Sequence, residues 1–408
     1  VGEKSPTSFP LHDDIFLTRL SKRPQFSLIS LIKTGPTFLH GNFSMTEPAD
    51  QLDLIPPYCP NPACLFHLGS EEKFYIKNGF ANTNKPPFRN QRFKCNRCKI
   101  QFSSNTFGLD FRKRAAGHSE EILHRFLNGI SNNSIARLLK ISEGTVRDRI
   151  KTMARLSVLF EKENNPNKIT ENVAYDGFET FTHSQFSPCY INTAVGSHSM
   201  FIYHNTFSPL NRKGRMTPEQ KIKNQELIKV HGLYPQSSVY EETIYVMKNL
   251  STMAPGRILF TDQHKSYLRA YRSIRCSMNL VTISSKARRD SSNPLFPINR
   301  LHNLYRHYLS SQKRETISFQ KHEAALMEKI QLMKIYRNFM NPKFVKKNKF
   351  DPHSHEWSPA MYVGAAEKIL SFREIFGVRK LISQTKLDKK ELDFMNRTYP
   401  FSRHRIAA

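Results

Sequence analysis

The chain has 408 residues, with 62 Lys and Arg against 34 Asp and Glu, a formal net charge of +28 and a pI near 9.9. So strong an imbalance points to a polyanionic partner, nucleic acid first, and the length accommodates two or three domains of roughly 100–200 residues. No apolar stretch approaches the roughly 20 residues needed to span a bilayer, and the N-terminus lacks the apolar core of a signal peptide, so a membrane is the weaker expectation.

Residues 1–57 contain "LTRLSKRPQFSLISLIKTGPTF" and then the acidic, Pro-bearing "TEPADQLDLIPP", a segment of unassigned role ending in a linker. Residues 58–107 hold two close cysteine pairs, "CPNPAC" with Cys59 and Cys64 and "FKCNRC" with Cys95 and Cys98, while Cys189 and Cys276 stand alone. Two knuckles of this spacing can present four thiolates to one tetrahedral Zn²⁺, with the intervening "NGFANTNKPPFRNQRF" forming a hairpin; a module with so little core needs the metal to fold. The expectation is a zinc ribbon with a closed, structural shell. His67, three residues after Cys64, is read as a bystander.

Residues 118–157, "HSEEILHRFLNGISNNSIARLLKISEGTVRDRIKTMARL", carry helical periodicity broken at "NGIS" and "KISEG". Ile135, Leu138 and Leu139 share one face, as do Val146, Ile150 and Met153. The pattern predicts a helix-turn-helix whose last helix can enter the major groove, with Ser142, Glu143, Thr145 and Arg147 near base edges and Arg149 and Lys151 near phosphates. The bland alternative is a helical hairpin.

After the polar linker "EKENNPNKITEN" the texture changes to strand-like runs, "NVAYDGFETF", "SMFIYHNTF", "RILFTD" and "MNLVTIS", followed by long helical patterns from Ile298, which together predict an α/β domain over 173–340 and a tail over 341–408. "RILF" reads as a strand covered on both faces, and function in open α/β sheets gathers beyond the carboxyl ends of such strands, where Asp262 lies. Asp176 follows Val173, Ala174 and Tyr175 on the first strand of the domain. If the two strands are neighbours, both carboxylates converge on a hard cation, Mg²⁺ or Mn²⁺. A third ligand is expected from the helix in "NPLFPINRLHNLYRHYL", with Leu301, Leu304, Tyr305, Tyr308 and Leu309 on its apolar side and Asn299, His302, Asn303 and Arg306 opposite. Turn residues at strand ends and an ordinary helix N-cap are the bland readings of Asp176, Asp262 and Asn299.

The order of these features, closing on "YDGFETF", "FTDQHKSY" and "NPLFPINRLHNLYRHYLSSQKRETISFQK", resembles bacterial insertion-sequence transposases of the insertion-sequence-one superfamily over roughly residues 58–340. The resemblance implies a multidomain α+β protein: zinc ribbon, helix-turn-helix and an RNase H-like catalytic domain with Asp176, Asp262 and Asn299 as an Asp-Asp-Asn version of a metal-binding triad. Structural Zn²⁺, catalytic Mg²⁺ or Mn²⁺, double-stranded DNA and a homo-oligomer on DNA are implied with it, in a cytoplasmic, nucleoid-associated setting. "SPAMYVG", Ser358 to Gly364, is similar to a motif in the C-terminal tail of related proteins.

A neutral Asn gives the site one negative charge less than a third acid would. Glu315 in "KRETIS" is the alternative acid, read as a partner of Lys313 or Arg314, and Glu179 points to the opposite strand face from Asp176. From Lys286 to Lys349 there are 15 Lys and Arg against four acids, interleaved with aromatics. Arg300, Arg306, Lys313 and Arg314 are expected to hold DNA phosphates there. Two rivals accompany the transposase reading: an inactivated or domesticated relative acting as a DNA-binding regulator, and a nuclease that cuts without joining.

Overall fold

A computed structural model describes residues 54–69, 72–83, 88–113, 116–313, 318, 320–343 and 356–399. Arg314, Glu315 and nearly all of the N-terminal segment lie outside the described residues. The described chain is mixed α/β with two sheets.

The first sheet is antiparallel, formed by β1 (Tyr75–Asn82), β2 (Arg89–Cys95) and β3 (Gln101–Ser103) in that order. Its hairpin is the one expected between the cysteine pairs. The register shifts between Lys77 and Phe80, where Gly79 takes φ +64, a bulge that only glycine adopts without strain. Phe74, Tyr75, Phe93, Phe102 and Phe107 form a small core around Cys59, Cys64 and Cys95.

Three helices follow: α1 (Ser119–Leu127), α2 (Asn132–Leu139) and α3 (Glu143–Asn164). The turn between α2 and α3 has local causes. Lys140 adopts the left-handed conformation that ends α2, and Ser142 then caps α3 by accepting from the Thr145 N–H at 3.1 Å. Val146, Ile150 and Met153 are buried as their spacing predicts, each contributing roughly 1.5–3 kcal/mol. The helix does not stop near 157: it runs to Asn164, so the first residues of the polar stretch are helical. It does so because its second half is core, packed along α8 (Glu323–Ile335). Glu161 meets Lys334 at 2.6 Å and accepts from Gln331 Nε2 at 2.5 Å, and Lys334 also donates to the Tyr203 carbonyl at 2.9 Å. A buried charge on each helix is thus matched by the other.

The second sheet has the order β6 (Ile202–Pro209), β5 (Pro188–Gly196), β4 (Val173–Phe181), β7 (Ile258–Asp262), β8 (Asn279–Ile283). β4, β5 and β6 form an antiparallel meander; β7 and β8 run parallel to β4. The parallel connections require crossovers, supplied by α5 (Ser238–Met253) and α6 (Lys265–Ser273), while α4 (Pro218–His231) buries only Leu227. The Tyr175 hydroxyl lies 3.0 Å from Thr243 of α5, whereas Phe178, on the other face of β4, packs on His302 and Tyr305 of α7 (Phe296–Tyr308). In β7 only Leu259 and Thr261 are fully buried; Ile258 and Phe260 are half-exposed, so this strand is less enclosed than its apolar run implies.

The C-terminal residues fold back over the rest through α9 (Pro359–Tyr362), α10 (Phe372–Phe376) and α11 (Lys389–Asn396). Arg379 N–H donates to the Phe107 carbonyl at 2.7 Å, Tyr58 hydroxyl donates to the Arg379 carbonyl at 2.9 Å, and Val378 and Leu381 pack on the cysteine-bearing core. Ser358 caps α9, which gives "SPAMYVG" a structural part to play.

Candidate functional site

Two constellations carry chemistry. The four cysteines come together with all Sγ atoms within 4.8 Å of one another, Cys59 to Cys98 at 3.5 Å and Cys64 to Cys95 at 3.8 Å. Four ligands about 2.3 Å from a tetrahedral zinc stand roughly 3.8 Å apart, so this set can hold a metal such as zinc. Burial pushes the Cys59 and Cys64 thiols up, a cost that a bound cation removes. His67 stays outside: its Nδ1 lies 2.8 Å from the Cys59 carbonyl.

The second constellation lies on the larger sheet. The parallel register pairs Tyr175 with Thr261, which sets Asp176 beside Asp262 on neighbouring strands. Asp176 Oδ1 accepts from the Gly177 N–H at 2.7 Å and faces the Tyr267 hydroxyl at 3.5 Å; Asp262 Oδ1 accepts from the His264 N–H at 2.9 Å. Burial and the neighbouring Asp262 push the Asp176 carboxyl up to about 7, against smaller lowering effects from Gly177, Tyr267 and Arg289. Two carboxylates held this way lack a positive charge between them, and the donor set fits a hard divalent cation. Gly177 is required by close approach: a Cβ there would stand 2.7 Å from Tyr190 and 3.0 Å from the Tyr267 hydroxyl.

Helix α7 lies across β4 and β5. Asn299 occupies its first turn, with its N–H bonded to the Leu295 carbonyl at 3.0 Å, so it is not the N-cap. Its amide is half-buried and makes no hydrogen bond to either acid. One turn later on the same stripe, His302 is buried against Phe178 and Tyr305, with Nδ1 4.0 Å from Asp176 Oδ2. Burial, then Arg306, push its pKa down to about 3, leaving a neutral imidazole. Among the described residues only the cysteines form a group of three or more His, Cys, Asp or Glu donors that is already closed. Glu179, on the opposite face of β4 from Asp176, is exposed.

The expected DNA contacts divide. Arg147 is exposed and 3.4 Å from Glu143, Lys151 is half-exposed, and the Thr145 hydroxyl is 2.9 Å from that of Ser142. Arg149 corrects the expectation: its side chain is 2% exposed and paired with Asp110 at 2.6 Å, because α3 packs over the loop after β3. It cannot reach a phosphate from there. Arg306 lies over the Phe178 ring at 4.9 Å, Lys313 is exposed, and Arg300 is close enough to repel both Arg337 and Lys343.

Tyr190, Tyr267, Arg289 and His302 complete the surroundings of the acids and were not singled out from the sequence. Only Tyr267, five residues after Asp262 at helical distance from the strand end, had a usable signal. A separate cavity of about 480 Å³ lies between β6, α5, α8 and α11, lined by His204, Glu242, Tyr245, Lys334 and Asp388 among others. It opens on β6, two strands away from Asp176.

No family model matches the chain, and no curated protein matches it. Among solved structures, a cryo-electron-microscopy structure of the simian T-cell lymphotropic virus intasome in complex with PP2A regulatory subunit B56 gamma aligns with 59% of this chain and 73% of its own. The identity is 12% and the TM-score 0.22, too loose an overlap to define a shared fold.

Proposed function

We propose that this chain is a DNA transposase of the insertion-sequence-one type, binding the terminal inverted repeats of its element and performing metal-dependent strand cleavage and transfer. The observation that carries the reading is the acid pair: Asp176 and Asp262 side by side on parallel neighbours, with the Asp176 carboxyl pushed up by burial and then by Asp262. The strand order supports it, since three antiparallel strands followed by two parallel to the first is the arrangement expected of an RNase H-like domain. In the same reading the four cysteines hold zinc as a ribbon, and α2 and α3 form the helix-turn-helix. Lys151 and Arg147 on α3, Arg300 and Arg306 on α7, and Lys313 just after it, supply cations for phosphates.

The chemistry follows from the site. A divalent cation bound at the carboxylates would supply Lewis-acid activation of the attacking oxygen and charge neutralisation at the phosphate. Asp176 and Asp262 would hold that cation, with Asn299 as a neutral oxygen donor. Water attacks the phosphorus first and the 3′-oxygen leaves as a hydroxyl; that hydroxyl then attacks a target phosphodiester and displaces the target strand's own 3′-oxygen, which leaves as a hydroxyl, so one site serves both steps. Cutting two ends together calls for at least two protomers on DNA.

A second reading, a DNA-binding regulator without cleavage, is favoured by the neutral Asn299 where a third acid would strengthen metal binding. A strand-transfer assay separates them: a pre-cleaved terminal repeat with a free 3′-hydroxyl, incubated with plasmid and Mg²⁺ or Mn²⁺, is expected to give joined product with the parent protein and none with Asp176→Asn. Tight binding of the repeat without joining supports the regulator.

A further inference from the structure

We propose that residues 378–384 act as a clasp on the first cysteine knuckle and set how firmly the four-cysteine site holds its metal, with Tyr58 and His67 as the positioning residues between clasp and thiolates. This rests on the reading of the cysteines as a zinc site. It goes beyond that reading by naming what holds two of the four ligands in place and by tying the metal to the end of α3.

The two knuckles are supported differently. Cys95 is the last residue of β2, and Asn96 N–H donates to the Phe74 carbonyl at 2.8 Å, so the second knuckle grows out of the sheet. Cys59 and Cys64 lie in residues 54–69, which form no strand and only one helical turn, Leu65–Leu68. The internal bonds of this first knuckle are all short-range: Cys59 N–H to the Phe66 carbonyl at 2.9 Å, Cys64 N–H to the Asn61 carbonyl at 3.0 Å and His67 N–H to the Cys64 carbonyl at 2.9 Å. A metal site needs its ligands placed to within roughly 0.2 Å, and a turn held only by its own backbone does not fix them that well.

The clasp supplies outside support at both ends of that knuckle. Next to Cys59, the buried Tyr58 donates its hydroxyl to the Arg379 carbonyl at 2.9 Å and sets its ring edge-on to His67, centroids 6.0 Å apart. Beyond Cys64, His67 Nδ1 donates to the Cys59 carbonyl at 2.8 Å, which joins the two ends of the knuckle, and Gln384 Nε2 donates to the His67 carbonyl at 2.9 Å. Between these anchors Val378 and Leu381 pack on the aromatic core around the cysteines, and Arg379 N–H donates to the Phe107 carbonyl at 2.7 Å. Lys380 turns the other way, pairing with Glu163 of α3 and lying over the Phe160 ring at 5.4 Å. Metal and clasp therefore stabilise the same knuckle, and each strengthens the hold of the other. Through Lys380 the pair reaches the end of α3, the helix that Ser142 caps at its start.

The test uses the tag-free full chain loaded with Zn²⁺, or with Co²⁺ in its place, and reads the rate at which metal passes to a competing chelator, together with hydrogen exchange of the backbone amides. Tyr58→Phe, which removes one hydroxyl and keeps the ring, is expected to speed release about fivefold, the worth of one hydrogen bond. His67→Ala and Leu381→Ser are expected to speed it about tenfold or more, the scale on which outer partners of a metal site act. The thiolate-to-Co²⁺ bands keep their positions in all three, since no ligand changes. In the parent, chelation is expected to raise exchange at the Arg379 amide while amides of β4 and β5 stay protected. Those same sheet amides report whether each variant is folded, and Tyr58→Phe, the mildest, carries the test if the others are not. Leu381→Ser that frees the Arg379 amide without changing the release rate overturns the inference, as does an unchanged rate in Tyr58→Phe or chelation that leaves the Arg379 amide protected; the cysteine site then stands without a clasp. A parent chain that binds neither Zn²⁺ nor Co²⁺ at the cysteines overturns the zinc reading and this inference together.

Discussion

Asp262 was legible because an apolar run stopping on an acid is anomalous in so basic a chain, and the parallel register then gave it Asp176 as neighbour. His302 was not legible. The sequence puts it on the polar stripe of α7 with Asn299 and Arg306, and a polar stripe reads as solvent-facing until the partner element is known. Here that stripe is partly turned to the sheet, so Ile298, Leu301, His302 and Tyr305 are the buried set. Another histidine yields a pH prediction away from the acids. Burial, then Lys334 and less strongly Lys162, push His204 down to about 3, with Asp388 opposing. A base whose folded pKa lies below its unfolded value near 6.5 binds more protons when unfolded, so its effect on stability is full above pH 6.5 and is lost as pH falls toward 3. His204→Gln is therefore expected to flatten the loss of stability between pH 6.5 and 5, measured by urea unfolding at each pH. An unchanged slope would contradict the burial of a neutral ring.

At the scale of elements, the cysteine spacing and the capped turn at Ser142 were legible because both are local: knuckle geometry and N-cap chemistry depend on few residues. The partner of Arg149 was not, since Asp110 lies 39 residues earlier in a loop that only the tertiary fold brings under α3. β5 was also missed: Asn192 and Thr193 interrupt its apolar pattern, and across the strands the Asn192 amide N–H donates to the Ser208 hydroxyl and the Thr193 hydroxyl to Asn205 Oδ1. Two predictions belong here. Arg149→Ala is expected to cost roughly 2–3 kcal/mol of stability, because the partly exposed Asp110 loses its cation, with the salt dependence of DNA binding unchanged. Arg147→Ala and Lys151→Ala are expected to leave stability nearly intact and to lower the slope of log affinity against log salt by about 0.9 each. Thermal unfolding and salt titrations distinguish the two classes, and a slope change in Arg149→Ala would contradict its burial. Removal of metal by a chelator, in turn, is expected to release about one zinc per chain and make Cys59, Cys64, Cys95 and Cys98 reactive to a thiol reagent together. Reactive thiols without zinc in the filtrate would leave the cluster without its metal.

For the whole molecule, the sequence gives a row of modules, and the structure ties them together. The expected boundary at 157 falls inside α3, whose continuation packs on α8, and the expected tail closes over the cysteine core through Arg379 and Tyr58. Neither was legible, because a polar run such as "EKENNPNKITEN" reads as linker until Glu161 is seen to meet Lys334. A continuous helix from the turn at Ser142 to its packing on α8 is a stiff connection, which under the proposed function sets recognition and cutting at a fixed spacing. The charge of +28 then acts as one field over both regions. The most direct test of this account is cleavage of a labelled duplex carrying the element's terminal repeat, with Mg²⁺ or Mn²⁺, by the parent protein and by Asp262→Ala. The account predicts a metal-dependent nick at one spacing from the bound repeat, lost in Asp262→Ala while binding is retained. Tight binding by both proteins with no nick in either metal would contradict it and leave the acid pair without a catalytic part.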